Sequence, residues 1–272
     1  MMETRRSLPR LALTAGRADP GQRMLPEEVA VALSYNGSTQ AVMMASPEAL
    51  EDFAYGFSLT EGLATAAEID SVEAVETERG IDLQIWLKPE AGARLMARRR
   101  TMAGPVGCGL CGIDSLEEAL REAPAVPTSA LRVSLDDVGA AISALTAHQP
   151  LHDVTRAVHA AGFWTPEAGI VAAREDVGRH NALDKLAGAL LRGGVDASRG
   201  AVLLTSRVSI DMVQKCARIG APVLIAVSAP TAHAVRMAEA AGITLIGLAR
   251  PDRCEVFTHS HRITVDEAED VA

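Results

Sequence analysis

The sequence predicts an α/β fold whose C-terminal half carries a parallel sheet and whose N-terminal half is a smaller α+β subdomain. Two observations lead to this fold class. Between positions 201 and 248, short apolar strands alternate with helices of about ten residues, which is the pattern of βαβ units. Before this region lie two strand pairs that have the pattern of hairpins. Hydrophobic residues make up 48% of the chain and aromatic residues only 3%, so the core is expected to be aliphatic.

The overall charge and the cysteine count exclude several classes of protein. The net charge of −9 argues against broad electrostatic binding to nucleic acid or to an anionic membrane, although a local basic pocket could still hold a phosphorylated ligand. No stretch approaches the ~18 apolar residues of a membrane span, and no signal peptide is evident. Four cysteines are too few for a disulfide framework in a chain of this size, and they indicate a reducing cytoplasm.

The N-terminal region is expected to begin with a disordered tail over residues 1–25. Asn36-Gly37 is the signature of a tight hairpin turn between two strands. Ser46-Pro47-Glu48 combines an N-cap residue, a proline in the first turn and an acidic side chain, which predicts that a helix begins there. In the subdomain assigned to residues 26–103, the predicted strands are 27–35, 39–44, 72–78 and 81–87, and the predicted helices are 46–61 and 89–100.

A connecting region, 104–127, separates this subdomain from a C-terminal α/β domain assigned to residues 128–265. The connection contains a glycine-rich loop and a helix that opens with a capping box at Ser115, and it ends near Pro124 and Pro127. In the C-terminal domain, the predicted helices are 134–148, 178–191, 210–219 and 232–241, and the predicted strands are 158–164, 169–173, 201–205, 222–227 and 243–248, with an edge strand at 255–258.

Cys108 and Cys111 form the sharpest chemical feature, a Cys-x-x-Cys pair among four glycines. Little side-chain cover on a glycine-rich backbone suits thiols that must move between a donor and an acceptor. The three arginines at 98–100 would favour the thiolate form. Structural zinc, a thioredoxin-type redox pair and the zinc site of nucleobase deaminases are the competing interpretations. Cys216 and Cys254 stand alone in the sequence and are expected to be small hydrophobic residues without a catalytic role.

The second feature is the polar run Arg174-Glu-Asp-Val-Gly-Arg-His-Asn-Ala-Leu-Asp-Lys185, placed where a strand passes into a helix. Sites of α/β folds are found at such junctions. The i, i+4 spacing of Asp176, His180 and Asp184 predicts that they share one helical face. A salt-bridged, solvated helix start would give the same pattern, and His152 and His159 are expected to be ordinary structural histidines.

The third feature is a set of polar turns that follow three neighbouring predicted strands. Residues 205–209 and 228–231 offer hydroxyl groups and free N–H groups at helix N-termini, and arginines follow the third strand. Helix N-termini with a nearby cation bind phosphate or pyrophosphate. Ordinary N-capping would by itself explain Ser209 and Thr231, but three loops at one sheet edge favour a ligand site.

These three features occur together, in this order, in the formate dehydrogenase accessory sulfurtransferases, and the sequence resembles this family (the FdhD family). The resemblance extends over about residues 27–263. The matching segments of the C-terminal part are 108–112, 174–185, 206–215, 228–231, 247–250 and 257–263, and those of the N-terminal part are 43–44, 56–57 and 61–62.

The resemblance implies a sulfur carrier that formate dehydrogenase needs for its activity. Members take sulfur from a cysteine desulfurase as a cysteine persulfide. They pass it to the molybdenum (or tungsten) bis-molybdopterin guanine dinucleotide cofactor before this cofactor enters formate dehydrogenase. The fold implied is a three-layer α/β domain with a mixed or parallel sheet, related to the cytidine deaminases. A cytoplasmic homodimer without a structural metal is also implied.

The resemblance further implies roles for particular residues. Cys108 is expected to carry the persulfide, and Cys111 to relay the sulfur or to release it by forming a disulfide. The residues expected to bind the cofactor are Arg179, His180, Asn181, Arg207, Ser209, Ser228, Thr231, Leu248, Ala249, Arg250, Pro251, Asp252 and Arg253. Two functions of other classes stay open, a zinc-dependent deaminase-like hydrolase and a non-catalytic chaperone that only binds the cofactor.

The chain departs from the family pattern at two places. Arg156-Ala157 stands where the family usually has two glycines, and Ser206 replaces a glycine before Arg207. A side chain at these positions is expected to alter how closely the backbone approaches a ligand.

Overall fold

The computed structural model describes residues 2–102 and 122–264, with backbone only at 98–102. Cys108, Cys111 and the helix predicted after Ser115 therefore lie outside the described residues. The secondary structure otherwise follows the sequence pattern closely in the C-terminal domain. Two helices begin and end at the predicted residues, Ile210–Ile219 and Ala232–Ala241.

The C-terminal domain is built on a six-stranded mixed sheet. Three adjacent strands, β10, β11 and β12, run parallel, whereas β8, β9 and β13 run antiparallel to their neighbours. The order across the sheet is β13-β12-β11-β10-β8-β9. The strands are β8 (His159–Thr165), β9 (Gly169–Asp176), β10 (Ala201–Leu204), β11 (Val223–Ala226), β12 (Thr244–Arg250) and β13 (Arg253–Val256).

Helices cover both faces of this sheet. On one face, apolar side chains from α5, α6 and α7 pack against Phe163 and Leu204 in the largest buried cluster. On the other face, Leu145 of α3 packs with Leu203 and Ile225. The sheet is therefore the middle layer of three. The helices of this domain are α3 (Leu135–Thr146), α4 (Pro150–Thr155), α5 (Arg179–Arg192), α6 (Ile210–Ile219) and α7 (Ala232–Ala241).

The N-terminal subdomain is a four-stranded sheet packed on helices, as its two predicted hairpins indicate. The strand order is β4-β3-β6-β5, and the central pair β3 and β6 is parallel. Buried side chains such as Leu33 and Ile85 pack with Phe53 of α1. The elements are β3 (Val29–Tyr35), β4 (Ser38–Ala45), α1 (Leu50–Thr60), β5 (Ile69–Thr77), β6 (Gly80–Leu87) and α2 (Pro89–Met102). A short parallel pair, β7 (Val133–Ser134) with β14 (Ile263–Thr264), lies in the C-terminal part.

The expectation of a disordered tail over residues 1–25 is wrong. Arg5–Thr14 (β1) and Arg17–Pro26 (β2) form an antiparallel hairpin in continuous register. Its turn contains Gly16 at a positive φ of 76°, which glycine adopts without strain. The hairpin is almost entirely exposed and Arg23 anchors its base by donating to the carbonyl oxygen of Thr155. Strand pairing satisfies the backbone without a buried apolar face, so the sequence carries no core pattern by which to recognise it.

The helix predicted to begin at Ser46 begins instead at Leu50. Ser46 is buried, and its backbone N–H donates to Oδ2 of Asp176 over 3.0 Å, while its hydroxyl accepts from the N–H of Val177. Because both groups are engaged by the C-terminal domain, Ser46 cannot cap the helix. The edge strand expected at 255–258 is also shifted: it spans Arg253–Val256, because Pro251-Asp252 forms a tight turn that pairs Arg250 with Arg253.

The two domains meet where helices α1 and α5 cross. Gly56 of α1 lies against the backbone carbonyl of Asp184, and Gly188 of α5 lies against that of Asp52. A Cβ atom at either glycine would overlap the opposing carbonyl group. The close crossing therefore requires glycine at both positions because no side chain fits between the two backbones.

Candidate functional site

The polar loops singled out in the sequence meet at one edge of the six-stranded sheet. Thr231 donates its backbone N–H to the carbonyl oxygen of Val208 over 2.9 Å, which joins the loop after β11 to the loop after β10. The backbone N–H of Leu248 donates to the carbonyl oxygen of Ser228 over 3.3 Å, which joins β12 to the loop after β11. The predicted convergence of three loops at this edge, called here the sheet edge, is thus confirmed by direct hydrogen bonds.

The same edge also receives the start of β8 and the end of β9. Thr205, which follows β10, donates its backbone N–H to the carbonyl oxygen of Ala160 over 3.1 Å and accepts from the N–H of Ala160 through its hydroxyl. His159 lies opposite Asp176 in the register of β8 and β9. Helix α5 begins directly after β9, so its first residues join the three loops at the sheet edge.

Hydroxyl groups of the expected binding residues have unequal roles. The Thr231 hydroxyl accepts from the backbone N–H of Ala234 over 3.2 Å and so caps α7. The Ser209 hydroxyl donates instead to Oδ2 of Asp211, which leaves α6 without a side-chain N-cap. Ordinary capping therefore accounts for Thr231 but not for Ser209.

The segment from Leu248 to Arg253, which comprises the end of β12, a two-residue turn and the first residue of β13, combines exposed and anchored residues. Leu248 is exposed and has a left-handed backbone with φ 51°, an unusual conformation for a leucine. The Arg250 guanidinium donates to the carbonyl oxygens of Val227 and Ala249, each over 2.7 Å. Ala249 is fully buried, whereas the remaining residues are exposed, namely Pro251, Asp252 and Arg253. Arg207 on the loop after β10 is exposed as well.

The polar run 174–185 divides into a structural half and a site-facing half. The expectation that Asp176, His180 and Asp184 share one helical face is wrong, because α5 begins at Arg179 and Asp176 ends β9. Asp176 is instead fully buried and accepts from Nζ of Lys185 over 2.6 Å. The Lys185 ammonium also donates to the carbonyl oxygen of Ser46, and burial lowers the pKa of Lys185 despite the adjoining carboxylate.

A second buried ion pair joins the domains beside the first. Nζ of Lys215 lies 2.8 Å from Oδ1 of Asp184, 2.6 Å from Oε1 of Glu61 and 3.1 Å from the hydroxyl of Thr60. Burial alone would lower the pKa of Lys215, but the two carboxylates outweigh it and raise that pKa. Burial raises the pKa of Asp184, and the Lys215 ammonium opposes that shift, so the two groups depend on each other and the network is structural.

A third contact between the domains completes the structural half of the run. The side chain of Asp52 is nearly buried and accepts from Nη2 of Arg174 over 2.7 Å and from Nη1 of Arg192. Asn181, expected to bind the cofactor, is also buried, and its amide nitrogen donates to the carbonyl oxygen of Met44 and to Oδ1 of Asp176. Asn181 therefore ties the domains together rather than presenting its amide N–H groups to solvent.

Arg179 and His180 form the half that faces the sheet edge. Nε2 of His180 lies 3.5 Å from Oδ2 of Asp211 on α6, and the interaction with His180 lowers the pKa of Asp211. Nε of Arg179 and Nε2 of His180 are buried without a hydrogen-bond partner among the described residues. Unsatisfied buried donors are uncommon in folded proteins and point to a ligand or to water at this place.

Two residues of this region have roles that the sequence analysis did not predict, His159 and Glu175. His159 is half-buried, and burial lowers its pKa together with the charges of Arg179, His152 and His180. Glu175 caps α4 by accepting from the backbone N–H groups of Leu151 and His152, each over 2.8 Å. The sequence analysis predicted strands β8 and β9 as a pair. Aligning the start of β8 with the end of β9 would have placed His159 opposite Asp176, near the start of α5.

The structure also describes the surroundings of Cys216 and Cys254 and the backbone conformation of Arg156. Cys216 is fully buried in the main apolar cluster, and burial raises the pKa of both Cys216 and Cys254. Among the described residues, no group of three or more metal-ligating side chains occurs. Arg156 ends α4 with φ 59°, a left-handed conformation that favours glycine.

Comparison with known proteins supplies the identification that geometry alone does not give. Residues 26–264 match the sequence profile of the FdhD/NarQ family. The chain belongs to the FdhD/NarQ family. It is 54% identical over 259 residues to the sulfur carrier protein FdhD of Agrobacterium fabrum, covering 95% of this chain and 96% of that protein. It is 51% identical over 242 residues to the sulfur carrier protein FdhD of Brucella abortus, covering 89% and 90%.

The fold agrees with a solved structure related to this family. A formate dehydrogenase accessory protein from Desulfotalea psychrophila superposes with a TM-score of 0.76 at 26% identity, covering 96% of this chain and 100% of that one. The α/β class is thereby confirmed, whereas the relation to cytidine deaminases stays a prediction. No helix within residues 2–102 and 122–264 is long and apolar enough to cross a membrane.

Proposed function

We propose that this FdhD/NarQ protein carries sulfur for the maturation of formate dehydrogenase. It accepts sulfur from a cysteine desulfurase as a persulfide on Cys108. It then transfers that sulfur to a molybdenum or tungsten bis-molybdopterin guanine dinucleotide bound at the sheet edge, before the cofactor enters the dehydrogenase. The observation that carries the proposal is the Cys108/Cys111 pair in a chain more than half identical to proteins named sulfur carriers.

The first step is a thiol exchange. The Cys108 thiolate attacks the outer sulfur of the desulfurase persulfide, a new S–S bond forms, and the desulfurase thiolate leaves. In the second step, the Cys111 thiolate attacks the inner sulfur of the Cys108 persulfide. A Cys108–Cys111 disulfide forms and the outer sulfur leaves as sulfide for the acceptor, after which a cellular thiol reductant must restore the dithiol.

The acceptor is a substrate of this protein, and the sheet edge offers the groups that it requires. Its pyrophosphates carry negative charge, which helix N-termini and arginine side chains stabilise. Arg207 is exposed on the loop after β10, and Ser228 and Leu248 bring two further loops beside it. We infer that the cofactor lies across these loops, and that the protein works in the cytoplasm as a homodimer.

Intact mass spectrometry after incubation with a cysteine desulfurase and cysteine tests the proposal. The wild-type protein is expected to gain ~32 Da, the mass of one sulfur atom, by persulfide formation. The double variant C108A/C111A is expected to gain none, while the matched control Cys254→Ala is expected to gain as much as wild type. Equal sulfur uptake by the double variant would show that the sulfur resides elsewhere and would reject the mechanism.

A second measurement separates this proposal from a chaperone that only binds the cofactor. Formate dehydrogenase activity is measured in cells that lack the endogenous carrier and produce either wild-type protein or C108A/C111A. We expect the double variant to give no activity above background. Full activity with folded double variant would instead favour the chaperone.

A further inference from the structure

The exposed hairpin of β1 and β2 has one mainly apolar face and one mainly basic face. Opposite residues of an antiparallel pair lie on the same face, so the register assigns each side chain to a face. The apolar face contains Pro9, Leu11, Leu13, Ala18, Pro20 and Met24, and the other face contains four of the five arginines of the hairpin. Because the side chains of Leu11 and Leu13 are 60% and 76% exposed, the apolar face is open to solvent.

The contact of Arg23 shows which way the hairpin faces. Arg23 belongs to the basic face and donates to the carbonyl oxygen of Thr155 at the end of α4. The basic face is therefore turned towards the C-terminal domain at the base of the hairpin, and the apolar face is on the opposite side. An isolated two-stranded hairpin is marginally stable in water, and a continuous exposed apolar surface is typical of an interaction site. We therefore expect a partner to cover the apolar face.

Three prolines determine how that partner can dock. Pro9, Pro20 and Pro26 occupy alternate pairs of the register, all on the apolar face. Because proline has no N–H group, these are the pairs without hydrogen bonds across the hairpin, and their backbone groups point to its outer edges. The outer edges therefore lack donors at these positions, which disfavours pairing with a further strand. A partner is expected to pack on the face of the hairpin rather than along its edge.

The sheet of the N-terminal subdomain has an open face of complementary character. Its inner face packs on α1 and α2. On its other side, called here the outer sheet face, Val42, Met44 and Trp86 are 57%, 51% and 43% exposed. Strands β3 to β6 contain four acidic residues and no basic residue, whereas the hairpin contains five arginines and one aspartate. Apolar contact and opposite charge therefore both favour packing of the hairpin on such a face.

The occupant that fits the hairpin best is a second copy of this chain. Folding back onto the outer sheet face of its own chain would require the hairpin to give up the contact of Arg23 with Thr155, and only two residues join β2 to β3. Two hairpins packed against each other would bring ten arginines together, and like charges repel. The outer sheet face of another copy avoids both costs.

We propose that the apolar face of the hairpin in one copy covers the outer sheet face of a second copy, whose hairpin does the same in return. The inference deepens the proposed function, because it assigns an interface to the inferred homodimer. Each strand of the hairpin has ten residues, so one face measures about 30 Å by 10 Å. Two faces covered reciprocally remove about 1,200 Å² of surface from water, which is the lower end of the range for specific interfaces.

Sedimentation velocity of the full chain tests the contribution of the hairpin. The double variant L11D/L13D should raise the Kd of the dimer about a hundredfold or more, because it places carboxylates in an apolar contact. The matched control L8D/L25D introduces the same charge at exposed leucines of the opposite face and should stay within about threefold of wild type. Circular dichroism establishes that each variant is folded. Equal Kd values for L11D/L13D and wild type would overturn the interface.

Variants of the outer sheet face distinguish this interface from packing between two hairpins. V42D/M44D should raise the Kd as much as L11D/L13D does, whereas the control Val171→Asp on β9, at an exposed apolar position, should leave it unchanged. An equimolar mixture of L11D/L13D and V42D/M44D should form more dimer than either variant alone, because an intact hairpin then meets an intact outer sheet face. Normal dimers of V42D/M44D, or a mixture that restores nothing, would reject the proposal.

Two further measurements separate the interface from a membrane contact and from the sulfur chemistry. If wild type is a monomer that binds vesicles of phosphatidylglycerol and phosphatidylcholine through Leu11 and Leu13, the hairpin contacts lipid and the interface is wrong. Persulfide formation is measured on L11D/L13D by the same gain in mass as for wild type. A wild-type dimer that gains no sulfur would reject the proposed sulfur carrier and leave the interface standing. Normal sulfur uptake in a wild-type monomer would do the reverse.

Discussion

The junction between the domains and the sheet edge use the same kinds of side chain in opposite ways. At the junction, Asp176 and Asp184 each have a lysine partner at 2.6–2.8 Å and lie in fully buried surroundings. At the sheet edge, Arg179 has no carboxylate partner among the described residues, and His180 has only a distant one. Paired buried charges hold a structure together, whereas unpaired donors near solvent are available for a ligand.

The comparison matters because both regions come from one polar run of twelve residues, 174–185. Read as a unit, the run resembles a single binding motif. In the structure its members point to two places, and Asn181 lies at the junction although it neighbours His180. Substitutions at the junction are expected to lower stability, whereas substitutions at the sheet edge are expected to lower ligand affinity and to change stability little.

The largest effect is expected where a buried charge loses its partner. Asp176→Ala leaves the Lys185 ammonium buried without a carboxylate, and should lower the free energy of unfolding by about 3–5 kcal/mol. Urea denaturation measures the change. The control is Arg199→Ala, which removes an exposed ion pair with Glu167 whose side chains are 67% and 66% exposed; it should cost less than ~0.5 kcal/mol. Similar losses in both variants would contradict the structural role of the buried pair.

The helix crossing is the next test of the junction. Gly188→Ala places a methyl group against the carbonyl of Asp52, and the backbone shift should cost about 1–3 kcal/mol of stability. The control Gly21→Ala, where the methyl meets only the flexible side chain of Arg10, should change stability little. A neutral Gly188→Ala would mean that α1 and α5 are free to move apart.

At the sheet edge, loss of ligand affinity is expected without loss of stability. Arg207→Ala should weaken GDP binding about tenfold, which corresponds to ~1.4 kcal/mol, because an exposed guanidinium that pairs with phosphate is removed. Isothermal calorimetry measures the affinity, and thermal unfolding checks that the fold is unchanged. Equal affinity for GDP in both proteins would remove Arg207 from the site.

The smallest effect concerns the contact of Asp211 with His180. The pKa of Asp211 is lowered by His180 and by Ser209, so its folded pKa lies below its unfolded value. The stability that this contact contributes is therefore present above the unfolded pKa of 3.8 and is lost as the pH falls through the folded pKa. Asp211→Asn should reduce stability at pH 6 by less than ~1 kcal/mol and should flatten the loss of stability as the pH falls below the unfolded pKa of 3.8.

Urea midpoints at several pH values check this last prediction, with Asp252→Asn at an exposed turn as the control. The pH dependence of the control should match wild type. If Asp211→Asn lost as much stability as Asp176→Ala, the proposed difference between the sheet edge and the junction would not hold.

Much of the fold could be predicted because local patterns determine it. Helices α6 and α7 have the predicted bounds, since an apolar stripe and a terminal glycine mark each of them. The convergence of loops at one edge followed from parallel strands, whose carboxyl ends must meet there. The hairpin of β1 and β2 was not predicted because it buries no apolar face. The start of α1 was predicted too early because Ser46 forms hydrogen bonds with Asp176, 130 positions away in the chain.

The sequence by itself determined the α/β fold class, most of the elements after residue 26 and the family, which rest on local patterns and on motif spacing. Only the tertiary structure decided which polar residues serve the junction and which face the sheet edge. Spacing along a chain does not tell whether Asp176 meets a lysine or a ligand, because its side-chain partners arrive from α5 and its backbone partners from Gly178 and from the segment after β4. For the same reason, spacing along the chain did not distinguish His159 from an ordinary structural histidine. The pairing of β8 with β9 places it opposite Asp176, where burial and the charge of Arg179 lower its pKa.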